Sequence, residues 1–473
     1  MKKATIGLVI LGLGLAAGAG CVRYMPRPVT AAATLDDFEA RRLDSPEFVD
    51  FLKKNARLER PPAAWDLAAL TLAALYYHPD LDVARSQWAT AEAGRITAGE
   101  RPNPTLGVLM GYNATSPVSE VRPWIPESAL EIPIETAGKR GYRIAQAQNL
   151  SEAARLNILS AAWGVRSRLR QVYLDLYAAR EAEALLGRLQ EAQAENVRIL
   201  EAQLAVGEAS PSDATQARLA LASSRLAALD AAQQSAQTRV RLADALGVPA
   251  AALDGVALSF DGLLRPPADT PANEIRRKAL VNRTDILSAL AAYAAEDSAL
   301  RLELAKQYPD LSLGPNFQLD QTDIKWTLGL SLILPLLNRN KGPIAEAEAR
   351  RAEAAARFQA LQAKVLGEIE SASAAARLAG EKAKTADDLW RSLQKQEATA
   401  AARYGLGDIS KLELIGMRIE LVAGELARLE ARIKARQAAG ELEDAVQSPL
   451  DGRGWVLKTP GRPAGPAKER KDE

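Results

Sequence analysis

Apolar and polar residues alternate with a period of two in four short segments, near residues 104–113, 127–135, 309–320 and 325–335. Because neighbouring side chains of a β-strand point to opposite faces, this pattern predicts four strands that each have one apolar and one polar face. The last segment has Trp326, Leu328, Leu330, Leu332 and Leu334 on one face and Lys325, Thr327, Gly329 and Ser331 on the other. Strands of roughly 9–11 residues can cross a bilayer when tilted, but a half-buried sheet on a soluble core also fits the alternation.

Long stretches without proline surround these strands and predict unusually long helices. The two longest, at residues 139–206 and 343–405, would measure roughly 95–100 Å at 1.5 Å per residue. Shorter helices are predicted at residues 65–100, 212–246, 275–306 and 410–445. Two short helices laid end to end match one long helix, which favours a hollow helical cylinder. An extended cytoskeletal coiled coil, the alternative, leaves the strands unexplained.

Blocks of sequence recur in the same order at an offset of 200–205 residues, so the chain is a duplication of one unit. Asp80-Leu81 aligns with Asp285-Ile286, and Ile144–Gln148 aligns with Ile344–Glu348. Repeat 1 is assigned to residues 65–246 and repeat 2 to residues 275–447. Each repeat is predicted to run helix, strand, strand, long helix, turn, helix. The equatorial linker between them, residues 247–274, is expected to pack around the helices as a collar.

The N-terminus is typical of an exported protein. Residues 1–20 combine a basic start with an apolar stretch and are interpreted as a signal peptide, which ends before Cys21. The segment resembles a bacterial lipobox, which implies cleavage and acylation at Cys21; an ordinary signal peptide with an incidental thiol is the alternative. Residues 21–64 are interpreted as an arm with a short helix, and residues 448–473, rich in proline, glycine and charge, as a disordered tail.

Composition excludes several classes of protein. Lysine plus arginine (60) and aspartate plus glutamate (59) nearly cancel, which argues against a nucleic-acid partner held by bulk charge. One cysteine and one histidine argue against a disulfide scaffold and a zinc cluster. Phosphate-loop, nucleophile-elbow and dinucleotide-binding motifs are missing. We therefore expect no enzyme activity, no cofactor and no resident metal, and interpret His78, beside Pro79, as a capping or packing residue.

Four strands cannot close a barrel by themselves, and open edges do not persist in hydrocarbon. If the strands span a membrane, two chains would supply eight strands and three would supply twelve. Trp124 and Trp326 lie next to the two predicted strand–strand loops. Their positions suit a belt of aromatic residues at the membrane interface.

The duplicated plan, with a Tyr-x-x-Gly turn at Tyr404–Gly407, resembles the TolC family of outer-membrane efflux ducts over roughly residues 65–447. The segment Ile132–Gln148 is similar to the strand–helix junction of the heavy-metal branch, the CzcC/CusC-like proteins. The resemblance implies a mainly α-helical protein with a membrane β-barrel. Three copies would form a twelve-stranded barrel that a periplasmic helical tunnel continues. It also implies an inner-membrane RND-type pump and a periplasmic adaptor as partners, and heavy-metal cations as the first candidate cargo.

The same resemblance implies roles at the helix-hairpin tips. Asp213 and Glu413, six residues after Gly207 and Gly407, would ring the narrowest aperture as a pore gate. The alternatives are a charge that favours the start of a helix, for Asp213, and an ordinary helix-surface charge, for Glu413. The two turns would meet the adaptor, although plain helix C-caps also explain their glycines. These docking residues are Val206, Gly207 and Glu208 in the first turn and Leu406, Gly407 and Asp408 in the second.

The sequence also fits other functions. A drug-efflux or secretion duct would have the same fold. A periplasmic adaptor lipoprotein would have one helical hairpin rather than two, and a structural envelope protein would not need the strands.

Overall fold

The computed structural model describes residues 24–56, 58–114, 123–264, 277, 279–320 and 323–449. The predicted signal peptide, Cys21, residues 265–274 of the linker and nearly all of the predicted tail lie outside these ranges. Repeat 1 and the arm before it contain helices α1 (Ala31–Glu39), α2 (Pro46–Ala56), α3 (Leu67–Tyr77) and α4 (Pro79–Gly99), strands β1 (Thr105–Tyr112) and β2 (Trp124–Ile134), and helices α5 (Lys139–Ala205) and α6 (Pro211–Leu246). Repeat 2 contains α7 (Thr284–Ala305), β3 (Leu311–Asp320), β4 (Asp323–Leu332), α8 (Lys341–Gly405) and α9 (Lys411–Val446).

The two long helices have the lengths that the sequence predicts, 67 residues for α5 and 65 for α8. Each begins after a residue in the left-handed backbone conformation, Gly138 in repeat 1 and Asn340 in repeat 2. The helices α3, α4 and α6 pack along α5, and α7 and α9 pack along α8. In addition, α5 contacts both α7 and α9, so it joins the helices of the two repeats.

The helix predicted over residues 65–100 is in fact two helices. His78, between α3 and α4, has an extended backbone, with φ −71° and ψ 124°. The following Pro79 explains the break, because proline disfavours the helical conformation in the residue before it. The second repeat has an equivalent break, since Arg283 is extended between helical residues 279–282 and α7.

The four strands form one antiparallel sheet in the order β1-β2-β3-β4. The central pair joins the repeats, with Ile132 opposite Leu313 and Glu127 opposite Gln318. The strand β2 begins at Trp124, three residues before the predicted start near residue 127. Trp124 therefore lies in the strand and not in the loop beside it.

A hydrophobic core lies where α3, α5 and α6 meet the linker and the arm. The described part of the linker, residues 247–264, packs onto this core, and a collar around the helices stays a prediction. Trp65 pairs with Leu258 in a parallel β-bridge, and the Phe260 ring stacks on Tyr173 at 4.8 Å between ring centroids. The arm contributes α2, whose Phe48 and Leu52 are fully buried in this core. The arm thus has two helices where the sequence predicts one; α2 is part of the folded body, whereas α1 has no buried residue.

A buried group of charges joins α5 to α9. Arg170 donates hydrogen bonds to the carboxylates of Glu443 at 2.9 Å and Asp444 at 2.6 Å, and to the carbonyl of Gly440 at 2.7 Å. Arg166 donates to Glu443 at 3.2 Å. These bonds fix repeat 1 against repeat 2 near the end of α9 that adjoins the core.

Candidate functional site: the two-faced sheet and the hairpin tips

The cross-strand register places apolar side chains on one face of the sheet and mostly polar ones on the other. On the apolar face, Leu330 lies opposite Leu313, which lies opposite Ile132. On the other face, Lys325 lies opposite Gln318, which lies opposite Glu127. The alternation predicted from the sequence is therefore confirmed across all three strand pairings. In the single chain the large apolar side chains that β1 and β4 place on the apolar face are exposed: Leu106, Val108, Met110, Tyr112, Ile324, Trp326, Leu328, Leu330 and Leu332.

The polar face has an excess of carboxylates. Glu131 pairs with Thr105, and Asp320 pairs with Asp323 at the β3–β4 hairpin. Glu127 accepts a 2.8 Å hydrogen bond from the Asn316 amide. In β1–β4, lysine and arginine contribute only Lys325 to this face. A solvent path along this face would attract cations.

Two aromatic pairs lie on the apolar face near the hairpin ends of the strands. The rings of Tyr112 and Trp124 are 4.9 Å apart, as are those of Phe317 and Trp326. Trp124 and Trp326 are more than half exposed. Their assignment to a membrane interface stays a prediction.

Basic residues after the strands hold the junction between sheet and helices. The Lys139 ammonium is buried and donates to the Tyr308 carbonyl and to Asp310, both at 2.7 Å. Arg140 donates to the carbonyl of Gly99, the last residue of α4, at 2.7 Å. Arg143 pairs with Glu135. The Lys-Arg motif thus binds the last carbonyl of α4, where a cation is favourable, and the carbonyl of Tyr308 in the segment that follows α7.

The two hairpin tips have the same geometry. Gly207 and Gly407 have φ of 80° and 82°, a conformation that glycine adopts without strain. The next residue in each turn donates back to the helix: Glu208 to the Gln203 carbonyl at 2.8 Å and Asp408 to the Arg403 carbonyl at 3.0 Å. This arrangement is a Schellman cap, so the glycines have the C-cap role considered above.

The turns also present apolar side chains to solvent, because Val206 is 71% and Leu406 79% exposed. A C-cap does not require this exposure. The role of the turns as a docking surface stays a prediction that the C-cap geometry does not exclude.

Asp213 and Glu413 occupy equivalent positions, each in the first turn of the helix that follows a hairpin tip. Each belongs to a capping box: the Asp213 amide donates to the Ser210 hydroxyl at 3.1 Å, and the Ser410 amide donates to Glu413 at 2.9 Å. Both carboxylates are exposed. The structure gives them a local structural role, and their role as a gate stays a prediction.

Sequence reasoning missed Ser210 and Ser410, although the pattern Ser-x-x-Asp or Ser-x-x-Glu marks a capping box. It also missed an ion pair between Glu195 of α5 and Lys411 of α9, which has no local sequence signal. Glu195 accepts hydrogen bonds from Arg198 and from Lys411, and these lower its pKa to about 2. This pair ties the two hairpins together near their tips.

In the described part of the chain no group of three or more histidine, cysteine, aspartate or glutamate side chains could hold a metal ion. His78 is 4% exposed, and its Nδ1 accepts a 3.2 Å hydrogen bond from the Asp80 amide at the start of α4. Burial lowers the pKa of His78. The interpretation of this histidine as a capping residue is confirmed. Within the same described ranges, no helix combines the length and apolar character needed to cross a membrane.

Comparison with known proteins relates the sheet and the helical hairpins to one protein family. A family model described as "Outer membrane efflux protein" matches residues 71–248 and 275–446, which include most of both repeats. The cobalt-zinc-cadmium resistance protein CzcC of Cupriavidus metallidurans is 26% identical over 277 residues, 58% of this chain and 64% of CzcC. The match thus spans a little under two thirds of that relative. The pyoverdine export outer membrane protein OpmQ of Pseudomonas aeruginosa is 26% identical over 423 residues, 82% of this chain and 85% of OpmQ.

Solved structures share the fold. CusC superposes with a TM-score of 0.65 at 18% identity, over 80% of this chain and 91% of that one. The CmeC outer membrane channel of Campylobacter jejuni superposes with a TM-score of 0.66 at 18% identity, over 90% of this chain and 94% of that one. The duplicated fold predicted from the sequence is confirmed at the level of one chain.

Proposed function

The chain belongs to the outer membrane efflux protein family, the TolC family of non-enzymatic transport proteins, and on that premise we propose that it forms the outer-membrane duct of a tripartite efflux system. In this proposal the sheet spans the outer membrane and the long helices form a tunnel into the periplasm. A periplasmic adaptor and an RND-type inner-membrane pump deliver the cargo. The duct itself conducts passively.

The observation that carries the proposal is the two-faced sheet with unpaired outer edges. On its apolar face, the large side chains of β1 and β4 are exposed in the single chain, as a surface in contact with lipid would be. The outer edges of β1 and β4 pair with no strand of this chain among those described. Pairing β4 of one copy with β1 of the next removes every edge, and three copies give twelve strands. A homotrimer satisfies both requirements.

Matched substitutions on neighbouring residues test the lipid-facing assignment. Leu330→Arg would place a charge on the lipid face and destabilise the barrel by about 2–4 kcal/mol at mid-membrane. Ser331→Arg would place the same charge on the bore face, where water solvates it. We expect Leu330→Arg to reduce the amount of protein that is extracted from outer membranes and migrates as a trimer when the sample is not heated before gel electrophoresis. Ser331→Arg should leave the trimer intact. Equal amounts of trimer for both variants would refute the assignment.

The hairpin tips are the proposed contact with the adaptor. An exposed apolar residue precedes the glycine in both repeats, Val206 in the first and Leu406 in the second. Three copies of the chain would present six such tips. Val206→Asp and Leu406→Asp would keep the backbone turn and remove the apolar contact. We expect weaker capture of a co-expressed adaptor with unchanged trimer assembly. Unchanged capture would remove the turns from the interface.

The gate role of Asp213 and Glu413 can be separated from their capping role. Replacing both with alanine removes six carboxylates per trimer and the capping boxes. Replacing Ser210 and Ser410 with alanine weakens the same caps and retains the carboxylates. We expect higher conductance in planar bilayers only for the carboxylate variant. Equal conductance changes in both variants would assign the residues to helix capping alone.

Acylation of Cys21 would anchor the arm in the membrane. The nine residues 22–30 reach at most about 30 Å, close to the roughly 32 Å length of the 21-residue helix α4. Fully extended, this segment would span a distance comparable to the length of α4, the helix that connects the core to the sheet. Metabolic labelling with a palmitate analogue tests the modification, and loss of label in Cys21→Ser with retention of label in wild type supports it.

Heavy-metal cations are the first candidate cargo. The excess of carboxylates on the bore face favours cations over anions, and one relative is named for cobalt, zinc and cadmium resistance. A second candidate is a larger organic molecule, because another relative is named for pyoverdine export. Growth of a duct-deletion strain complemented with this chain, on cobalt, zinc, cadmium or drug-containing media, distinguishes the two. Rescue on drugs without rescue on metals would overturn the metal assignment.

A further inference from the structure

In repeat 1, the ends of two helices converge on one arginine of the N-terminal arm. Arg41 Nη1 donates to the carbonyl of Tyr77, the last residue of α3, at 3.0 Å. It also donates to the carbonyl of Gly247, the C-cap of α6, at 2.7 Å. The two helix ends are so close that a Cβ on Gly247 would lie 2.7 Å from the Tyr77 carbonyl oxygen. Two negative helix ends thus meet at a single guanidinium.

Further contacts hold the arm in this position. The Tyr77 hydroxyl lies 2.9 Å from the Ser45 hydroxyl and donates to the Arg42 carbonyl at 2.5 Å. Phe48 is fully buried and stacks on Trp65, with 6.2 Å between ring centroids. The arm is therefore bound by polar contacts at the helix ends and by apolar contacts in the core.

Repeat 2 places a cation at the equivalent end of α9 without help from another segment. Arg283 Nη1 donates to the carbonyl of Ala445 in the last turn of α9 at 2.7 Å. Its other contacts are the carboxylates of Asp285, at 2.7 Å, and Glu368, at 3.0 Å. Arg283 is the N-cap residue of α7, and it is buried.

Repeat 1 has a different set of residues at the same positions. At the offset of 205 residues, His78 corresponds to Arg283 and Asp80 to Asp285. At the offset of 200 residues, Arg168 corresponds to Glu368. His78 uses its Nδ1 to accept from the Asp80 amide, and burial favours its neutral form. Repeat 1 therefore has a histidine where repeat 2 has Arg283, and the nearby Arg168 charge further lowers the pKa of that histidine.

We propose that the N-terminal arm is a strap that completes repeat 1, with Arg41 as the cation that caps α3 and α6 together. The acceptor is the cleft formed by the ends of α3 and α6 and the core around Trp65. Its occupant is this chain's own segment, residues 41–52. The strap fixes the segment that follows Cys21 to the body of the protein. It does not depend on the cargo or on the duct function.

Hydrogen–deuterium exchange of the full-length protein tests the strap. Arg41→Gln removes the charge and the shared donation. We expect exchange to rise about tenfold at residues 44–56 and at the end of α6, with no change in the middle of α8. The control is Arg42→Gln, since the neighbouring Arg42 side chain is exposed. Wild-type exchange in Arg41→Gln, or equal changes in both variants, would overturn the proposal.

A rescue variant separates the strap from a general loss of stability. Adding His78→Arg and Arg168→Glu to Arg41→Gln recreates in repeat 1 the charges of repeat 2. We expect this triple variant to restore slow exchange at the end of α6 and to leave the arm in fast exchange. Fast exchange both in the arm and at the end of α6 would show that position 78 of repeat 1 is not equivalent to position 283 of repeat 2. That result would overturn the comparison of the repeats. If Arg41→Gln does not fold, the middle of α8 also exchanges quickly. Arg41→Lys then takes its place: it keeps the charge but has no guanidinium, so we expect a rise of less than tenfold at residues 44–56 and at the end of α6. Wild-type exchange at both places would overturn the proposal.

Discussion

Replacing Gly440 with alanine should destabilise the joint between the repeats, although alanine is the better helix former. Gly440 lies in α9 against the Arg170 side chain, which donates a hydrogen bond to the Gly440 carbonyl. A Cβ on Gly440 would lie 2.7 Å from Arg170 Nε and 3.0 Å from its Cζ. The guanidinium can move away only by losing its bonds to Glu443 and Asp444. Because Glu443 is 3% exposed, water does not replace the lost partner.

Two opposing effects set the magnitude. Alanine in place of glycine in a helix is favourable by about 1 kcal/mol. Displacing the guanidinium from the buried Glu443 carboxylate and the partly exposed Asp444 carboxylate costs about 3 kcal/mol. The net result is a loss of about 2 kcal/mol, or about a thirtyfold increase in local opening. Gly416→Ala, in the same helix with nothing within 4 Å of its Cβ, should instead gain about 1 kcal/mol.

Hydrogen exchange of α9 measures the opening of this joint in both variants. A double-mutant cycle with Arg170→Met isolates the steric contact, since alanine at position 440 has no guanidinium to displace in that background. There we expect Gly440→Ala to be neutral or stabilising. Equal stability of Gly440→Ala and Gly416→Ala, or the same cost in both backgrounds, would refute the reasoning.

Two other predictions concern the tips and the helix ends. The pKa of Glu195 in the folded protein is about 2, below its ordinary value of about 4.3. Its pairs with Arg198 and Lys411 therefore stabilise the tip fully above about pH 4.5. This stabilisation is lost as the pH falls towards 2. Exchange at the start of α9 should rise over that interval, and a Lys411→Met variant should show a smaller rise; an identical rise in both would contradict the assignment. Gly247→Ala should lower the free energy of unfolding by about 3 kcal/mol or more, because left-handed backbone strain adds to a clash of the new Cβ with the Tyr77 carbonyl. Gly207 has a similar φ and no atom within 4 Å of its Cβ position, so Gly207→Ala should cost only about 1–2 kcal/mol. Thermal unfolding measures both. Similar losses at the two glycines would contradict the role of the close approach.

The features that could be predicted from the sequence are those with a regular local pattern. Alternation at residues 325–335 predicted the two faces of β4, and the proline-free stretch after Gly138 predicted α5 to within a residue at each end. The duplication predicted the matching tips because equivalent glycines recur at an offset of 200 residues. Each of these signals depends on neighbours in sequence, which local propensity and periodicity describe well.

The features that were missed depend on contacts between distant residues or on signals that went unused. Pro79 was a sufficient signal for the break at His78, and the Ser-x-x-Glu pattern at Ser410 was a sufficient signal for a cap. No local pattern connects Arg170 with Glu443, which lie 273 residues apart, or Arg41 with Gly247, 206 residues apart. Such pairs become visible only when the fold brings the helix ends together.

The contacts between α5 and α9 weaken from the core towards the tips. At the core end, Arg170 and Glu443 form a buried pair with several hydrogen bonds. Further along, Arg188 pairs with Glu425, and near the tip Lys411 pairs with Glu195; each of these pairs has one partner about half exposed. Exposed ion pairs contribute about 0–1 kcal/mol each, whereas separating a buried pair costs several times as much. The hairpins of the two repeats can therefore separate at the tips at little cost while their joint near the core stays closed. The proposed gate at the hairpin tips would need this distribution of stability, because the tips must part while the joint near the core holds.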